Sequence, residues 1–410
     1  ALVHRQTEVE ASANAAFWMT LAASLLLGGA LFAMHAPIAA FFDDQRIGPV
    51  VQLLAVLVPL TGLAAVPTAL LQRQLAFREL FWVRLFTAGL PALASIPLAV
   101  GGFGNWALVA GTLAGQLLQC TVLWLRSGWK PALRFDPSMA RKLIHFGRWT
   151  TLSALLAWGY GWLDALFVAR YFGPHDMGIY RIATTFTTLI FGLLFAPLLP
   201  VFFSVFSRTG QDRGYVGSTL IFNARAAALL AFPVAALMLI LSSIIERTIF
   251  GPSWHGLAPL LSILAISQSF AWMVGANGEA YRGVGHPHME TWALGISIAV
   301  YLIGYLIASK FDLLTFVAAR SSLVVVGIVV HIWFARLVLG LRPAEWFSAT
   351  WRPLILSCIA MCPAFATLYL FDGVAGPILA AAAFITIYLN LIWHFEKKTI
   401  FQLWNKSYAA

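Results

Sequence analysis

Twelve long apolar runs separated by short polar linkers dominate this chain of 410 residues. They cover 14–42, 49–71, 81–101, 104–125, 149–171, 177–206, 219–245, 257–280, 290–309, 313–335, 353–371 and 374–395. A helix rises about 1.5 Å per residue, so roughly 20 apolar residues cross the hydrocarbon of a bilayer. Hydrocarbon offers no water to satisfy backbone N–H and C=O groups, so a spanning run must close its hydrogen bonds within itself, as a helix. Composition agrees, with 60% hydrophobic residues and 10% charged, where soluble domains carry about 25% charged residues. The expectation is an all-α membrane protein of about twelve spanning helices.

Basic residues orient those helices. When linkers are assigned to alternate sides, 20 of the 26 Lys and Arg collect on one side and only Arg46, Arg170, Arg247 and Lys310 on the other. Arg181 and Arg320 fall inside runs. Loops retained in the cytoplasm hold the excess of Lys and Arg. The split therefore predicts a multi-pass protein of the inner membrane with both termini cytoplasmic. A net charge of +10 could suit nucleic acid, but that reading needs a basic face in water. Here the basic residues sit between apolar runs, and no nucleic-acid partner is expected. Cys120, Cys358 and Cys362 lie within apolar stretches and lack disulfide or zinc spacing. His286-Pro287-His288 has no carboxylate pair beside it, so it reads as a loop turn and no metal is expected.

The chain also carries an internal repeat. Shifting it by 209 residues brings Leu21-Ala22 onto Leu230-Ala231, Phe41 onto Phe250, Arg73 onto Arg282, Ala110 onto Ala319 and Trp124 onto Trp333. Runs one to four thus pair with runs seven to ten, while runs five and six have no partner. Two further helices upstream of Ala1 are the expected completion, giving fourteen. The implied architecture is two pseudo-symmetric six-helix lobes around a central cavity, plus a C-terminal helix pair. In this chain 1–125 would be the last four helices of the first lobe and 126–148 a basic cytoplasmic linker. Residues 149–340 would form the second lobe, and 341–410 the helix pair and tail.

Several stretches resemble a known family. Asp164-Ala-Leu-Phe-Val-Ala-Arg170-Tyr-Phe-Gly173-Pro174, then Met177-Gly178-Ile-Tyr180-Arg-Ile-Ala183, are similar to the polysaccharide transporters. These are Wzx-type flippases of the multidrug/oligosaccharidyl-lipid/polysaccharide exporter superfamily. Phe203 to Arg208, Gly251-Pro-Ser-Trp254 with Ala258-Pro259, and the opening Ala1 to Arg5 with Ala16-Phe17-Trp18 fit the same family in order and spacing. The resemblance implies export of undecaprenyl-diphosphate-linked oligosaccharides across the bacterial inner membrane by alternating access. The units would feed O-antigen, lipopolysaccharide, capsule or exopolysaccharide synthesis. Partners implied are the lipid-linked oligosaccharide, membrane lipids, and the polysaccharide polymerase with its chain-length machinery. No bond is made or broken, so no enzyme activity and no cofactor are expected. A coupling ion, H+ or Na+, is left open.

Ionisable residues inside spans are the candidate cavity groups, because an unpaired charge there is costly. They are Asp164, Arg181, Arg320, Arg225 and Glu279, with Arg73 and Arg282 as a repeated pair at the cytoplasmic entry. Arginine suits a diphosphate because its planar fork bonds two oxygens at once. Each charge has a plainer reading as a structural ion pair or a side chain reaching the headgroup layer, and for Arg225 and Glu279 that reading is the stronger. At the helical rise, Asp164, Arg181 and Arg320 lie about 13, 8 and 12 Å from their span ends, at overlapping depths. Pro197 and Pro200 would kink run six. Trp149, Trp158, Tyr160 and Trp162 either stack on sugars or anchor and pack the helix. Two rival functions remain: a drug or organic-ion antiporter, which would prefer an acidic cavity, and a polysaccharide polymerase or ligase, which would need a large outer loop.

Overall fold

The computed structural model describes residues 9–73, 77–133, 135–199, 202, 206, 212–371, 373–397 and 399, and it contains no strand among them. The helices run α1 (Val9–Ala33), α2 (His35–Phe41), α3 (Ile47–Ala55), α4 (Leu57–Arg73), α5 (Phe77–Val100), α6 (Asn105–Ser127), α7 (Pro137–Tyr171) and α8 (Gly173–Phe195). After α8 come α9 (Arg213–Ile244), α10 (Leu257–Ala271), α11 (Asn277–Gly283), α12 (His288–Ala308), α13 (Leu313–Ser322), α14 (Val324–Leu339), α15 (Pro343–Leu370) and α16 (Ala375–Phe395). Among the described residues, 10 helical segments are long and apolar enough to cross a membrane. They match ten of the twelve runs. The other two runs, 81–101 and 149–171, are helical too, on α5 and α7. The molecule is a multi-pass membrane protein.

The helix ends follow the internal repeat. α2 closes at Phe41, and at its counterpart α9 continues as a wider π turn that closes at Phe250. α5 ends at Val100 and α12 at Ala308, each before a short turn into the next helix. One boundary departs from expectation. The stretch 126–148, expected to be a linker, is helical from Pro137 onward. Asp136 caps that helix, its Oδ1 accepting from the backbone N–H of Ser138 at 2.9 Å and Met139 at 3.3 Å. An Asp cap followed by Pro at the first helical position is a strong start signal. Apolar content alone overlooked it, because the first turns of α7 are polar.

The chain forms two compact units, Ala1–Ala154 and Leu155–Ala410. In the first, α1 packs on α4, and α4 and α5 pack on α6. Gly62 of α4 admits Ser24 of α1, since a Cβ there would lie 2.3 Å from the Ser24 hydroxyl. Trp124 closes the packing by donating its ring N–H to the Leu63 carbonyl at 3.1 Å. In the second unit the core gathers Tyr180, Phe191, Leu261, Tyr305 and Phe316 from α8, α10, α12 and α13. α15 and α16 pack on α9 through Ala360, Ala364, Ala380 and Phe384. Outward-facing Leu26, Trp333 and Leu389 stay exposed. Lipid tails, as apolar as leucine, are the solvent that suits such faces.

Candidate functional site

The second unit holds a cavity of about 700 Å³ bounded by α7, α8 and α13. α8 supplies its longest wall. Arg181, Thr184, Thr185, Thr188 and Gly192 all line the cavity, and their spacing of three and four residues puts them on one helix face. Beyond them Leu193, Ala196 and Pro197 continue the wall. One end of the cavity is therefore hydroxylated and charged, and the other is apolar. Pro197 lies in a 3-10 turn, Ala196–Leu198, that ends the regular helix. Pro200, the Ala1–Arg5 stretch and all of Phe203–Arg208 except the buried Phe206 lie outside the described residues.

Asp164, Tyr180 and Arg320 meet at the charged end. Oδ2 of Asp164 accepts from the Tyr180 hydroxyl and from Nε of Arg320, both at 2.5 Å. Its Oδ1 accepts from the backbone N–H of Ala165 at 2.7 Å. The carboxylate is buried, so desolvation is offset by three donors, as a buried charge requires. Arg320 engages through Nε alone. Its terminal nitrogens form no hydrogen bond with the described residues, and the side chain faces the cavity at 27% exposure. Arg181 is the more open cation. Its Cζ lies 4.1 Å from the centre of the Trp162 ring, a cation–π contact that orients the guanidinium without neutralising it. One carboxylate against two guanidiniums leaves a single positive charge in excess.

The remaining candidates lie elsewhere. Arg225 of α9 pairs at 3.1 Å with buried Glu396, which also accepts from Thr399 at 2.6 Å. That pair ties α9 to the segment after α16. Arg282 is shared by Glu279 at 3.0 Å and Glu290 at 3.1 Å, so it is no free entry charge. The Arg73 side chain lies outside the described residues. Tyr160 turns away from the cavity to Tyr301, their hydroxyls 3.4 Å apart, and Trp158 is exposed. Among the described residues no group of three His, Cys, Asp or Glu could hold a metal. His286 and His288 stack on each other instead, with ring centres 5.7 Å apart. Sequence reading missed Tyr180 and the threonines. The signal was there: four Thr within residues 184–188, in the middle of an apolar run.

A family model described as polysaccharide biosynthesis protein matches residues 1–259. The teichuronic acid biosynthesis protein TuaB of Bacillus subtilis is 22% identical over 363 residues, covering 87% of this chain and 74% of its own length. The succinoglycan biosynthesis transport protein ExoT of Rhizobium meliloti is 24% identical over 292 residues, 71% of this chain and 59% of its own. The amylovoran biosynthesis protein AmsL of Erwinia amylovora is 22% identical, and the match spans 85% of this chain and 92% of that protein. Among solved structures, the lipid II flippase MurJ in an inward closed conformation superposes with a TM-score of 0.79. That match covers 97% of this chain and 86% of the other at 16% identity, so it speaks to the fold.

Proposed function

Because this chain belongs to the polysaccharide biosynthesis protein family, we propose that it is a flippase for lipid-linked oligosaccharides. It would act in the bacterial inner membrane, with both termini cytoplasmic and by alternating access, in the synthesis of a surface polysaccharide. The substrate poses one physical problem: a diphosphate-sugar head cannot enter hydrocarbon, whereas its polyprenyl tail belongs there. The observation that carries the reading is the α7–α8–α13 cavity. It sets an excess positive charge and a row of hydroxyls inside membrane-spanning helices. Arg181 and the free fork of Arg320 supply bidentate donors for phosphate oxygens. Thr185 and Thr188 face the same space, where sugar hydroxyls would lie. The names of the relatives, one of them a transport protein, support the same reading over a catalytic one, and the cavity's net positive charge disfavours an organic-cation antiporter.

The test is polymer export in cells that lack the native gene. Arg181→Ala should reach the membrane at normal abundance, because it breaks only an exposed ring contact, and should leave lipid-linked units unexported. Arg181→Lys should restore part of the export, since a point charge replaces a fork. Full export by a well-expressed Arg181→Ala variant would end the proposal.

A further inference from the structure

The second unit contains another cavity, about 160 Å³, that headgroup binding does not use. α12 and α14 wall it, together with the junction of α10 and α11. Gly275, Gly278 and Gly327 leave it room. Glu290 and Ser297 of α12 face it, with His331 of α14.

His331 is held firmly, yet one of its ring nitrogens is unused. Its backbone carbonyl accepts from the Tyr281 hydroxyl at 2.8 Å and from the Asn277 amide at 3.3 Å. Its ring stacks on Tyr281, with centres 6.0 Å apart and planes 14° from parallel. Nδ1 is buried and has no hydrogen-bond partner among the described residues. Buried polar atoms are nearly always paired, and an ionisable group inside a spanning helix calls for a functional reason.

The neighbouring charges supply one. Glu290 packs directly on Gly278, where a Cβ would come within 2.7 Å of its Oε1. Arg282 serves both Glu290 and Glu279. Two carboxylates against one guanidinium leave one negative charge uncompensated, and a single proton on His331 would balance it. The Tyr281 ring face also favours an imidazolium.

We propose that this cavity is a proton-binding site, with His331 as the acceptor and Glu290 as its counter-charge. The proton enters from water at the Arg282 end, where that side chain is 43% exposed. An N–H bond forms on the imidazole and no other covalent bond changes. Among the lining residues, Tyr160 on α7 is the other titratable group, and its hydroxyl faces that of Tyr301. The α10–α11 junction contributes Ala271, Val274 and Gly275, none of which titrates. Tyr160 adjoins Gly161 and Trp162 of the larger cavity, so charging His331 acts one residue away from the headgroup site.

The test needs no substrate, so its outcome is independent of the flippase reading. The whole chain, labelled with ¹⁵N-histidine and held in lipid nanodiscs, is followed by NMR, with His331→Gln assigning the resonance. His331 should pass from neutral to imidazolium as the pH is lowered over the range in which the protein stays folded. In Glu290→Gln the change should move about one pH unit toward acid, and in Arg282→Gln toward alkali. Unchanged signals from the other histidines verify the fold of each variant. A His331 ring that stays neutral throughout, or one whose titration ignores both substitutions, overturns the proposal.

Discussion

Asp164 accepts one hydrogen bond from Tyr180 and one from Arg320 on the same oxygen, and this pairing sets what single substitutions do. Arg320→Ala strands a buried carboxylate, which costs about 3–5 kcal/mol. It should lower both membrane abundance and the thermal midpoint in detergent. Adding Asp164→Asn removes the stranded charge and should recover most of that loss, without restoring export. An Arg320→Ala protein as stable as wild type would contradict the pairing. Asp164, Arg181 and Arg320 were legible in the sequence because charges inside apolar runs are rare and costly. Which of them pair was not legible, because that depends on α7, α8 and α13 meeting. Tyr180 gave no signal of its own, since a tyrosine in a spanning helix is ordinary until its hydroxyl is seen on a carboxylate.

α8 is the element on which the cavity depends. Its polar face runs from Arg181 to Thr188, and Gly192 continues it into the apolar end. A Cβ at Gly192 would meet nothing within 4 Å, so the glycine leaves space where close packing demands none. Gly192→Leu should fill that space while strengthening the helix by up to about 1 kcal/mol. The expected outcome is a thermal midpoint equal to or above wild type, with export reduced at least about tenfold, a barrier change of roughly 1.4 kcal/mol. Normal export by this variant would show that the substrate does not use the cavity. Helix existence was readable from run length, but helix starts were less so. α7 begins twelve residues before its apolar run, at Pro137, because capping rather than hydropathy decides where a helix starts.

At the scale of the whole molecule, the repeat and the charge alternation were both written in the sequence. The offset of Phe41 onto Phe250 reappears as two matching helix ends. The 20 Lys and Arg gathered on one side predict the orientation. In a background with Cys120, Cys358 and Cys362 replaced, a cysteine at Asp44 or Lys310 should react with an impermeant thiol reagent from outside the cell. One at Lys130 should react only after permeabilisation. The reverse pattern would invert the topology. The central claim, that the chain carries lipid-linked oligosaccharide across a bilayer through the α7–α8–α13 cavity, is tested most directly with purified protein in sealed vesicles. These contain a fluorescent polyprenyl-diphosphate oligosaccharide in both leaflets, and an impermeant quencher is added outside. Wild-type vesicles should lose the signal of both leaflets, and Arg181→Ala vesicles that of the outer leaflet alone. Wild-type vesicles that retain the inner-leaflet signal, or Arg181→Ala vesicles that lose it as fast as wild type, would contradict the account.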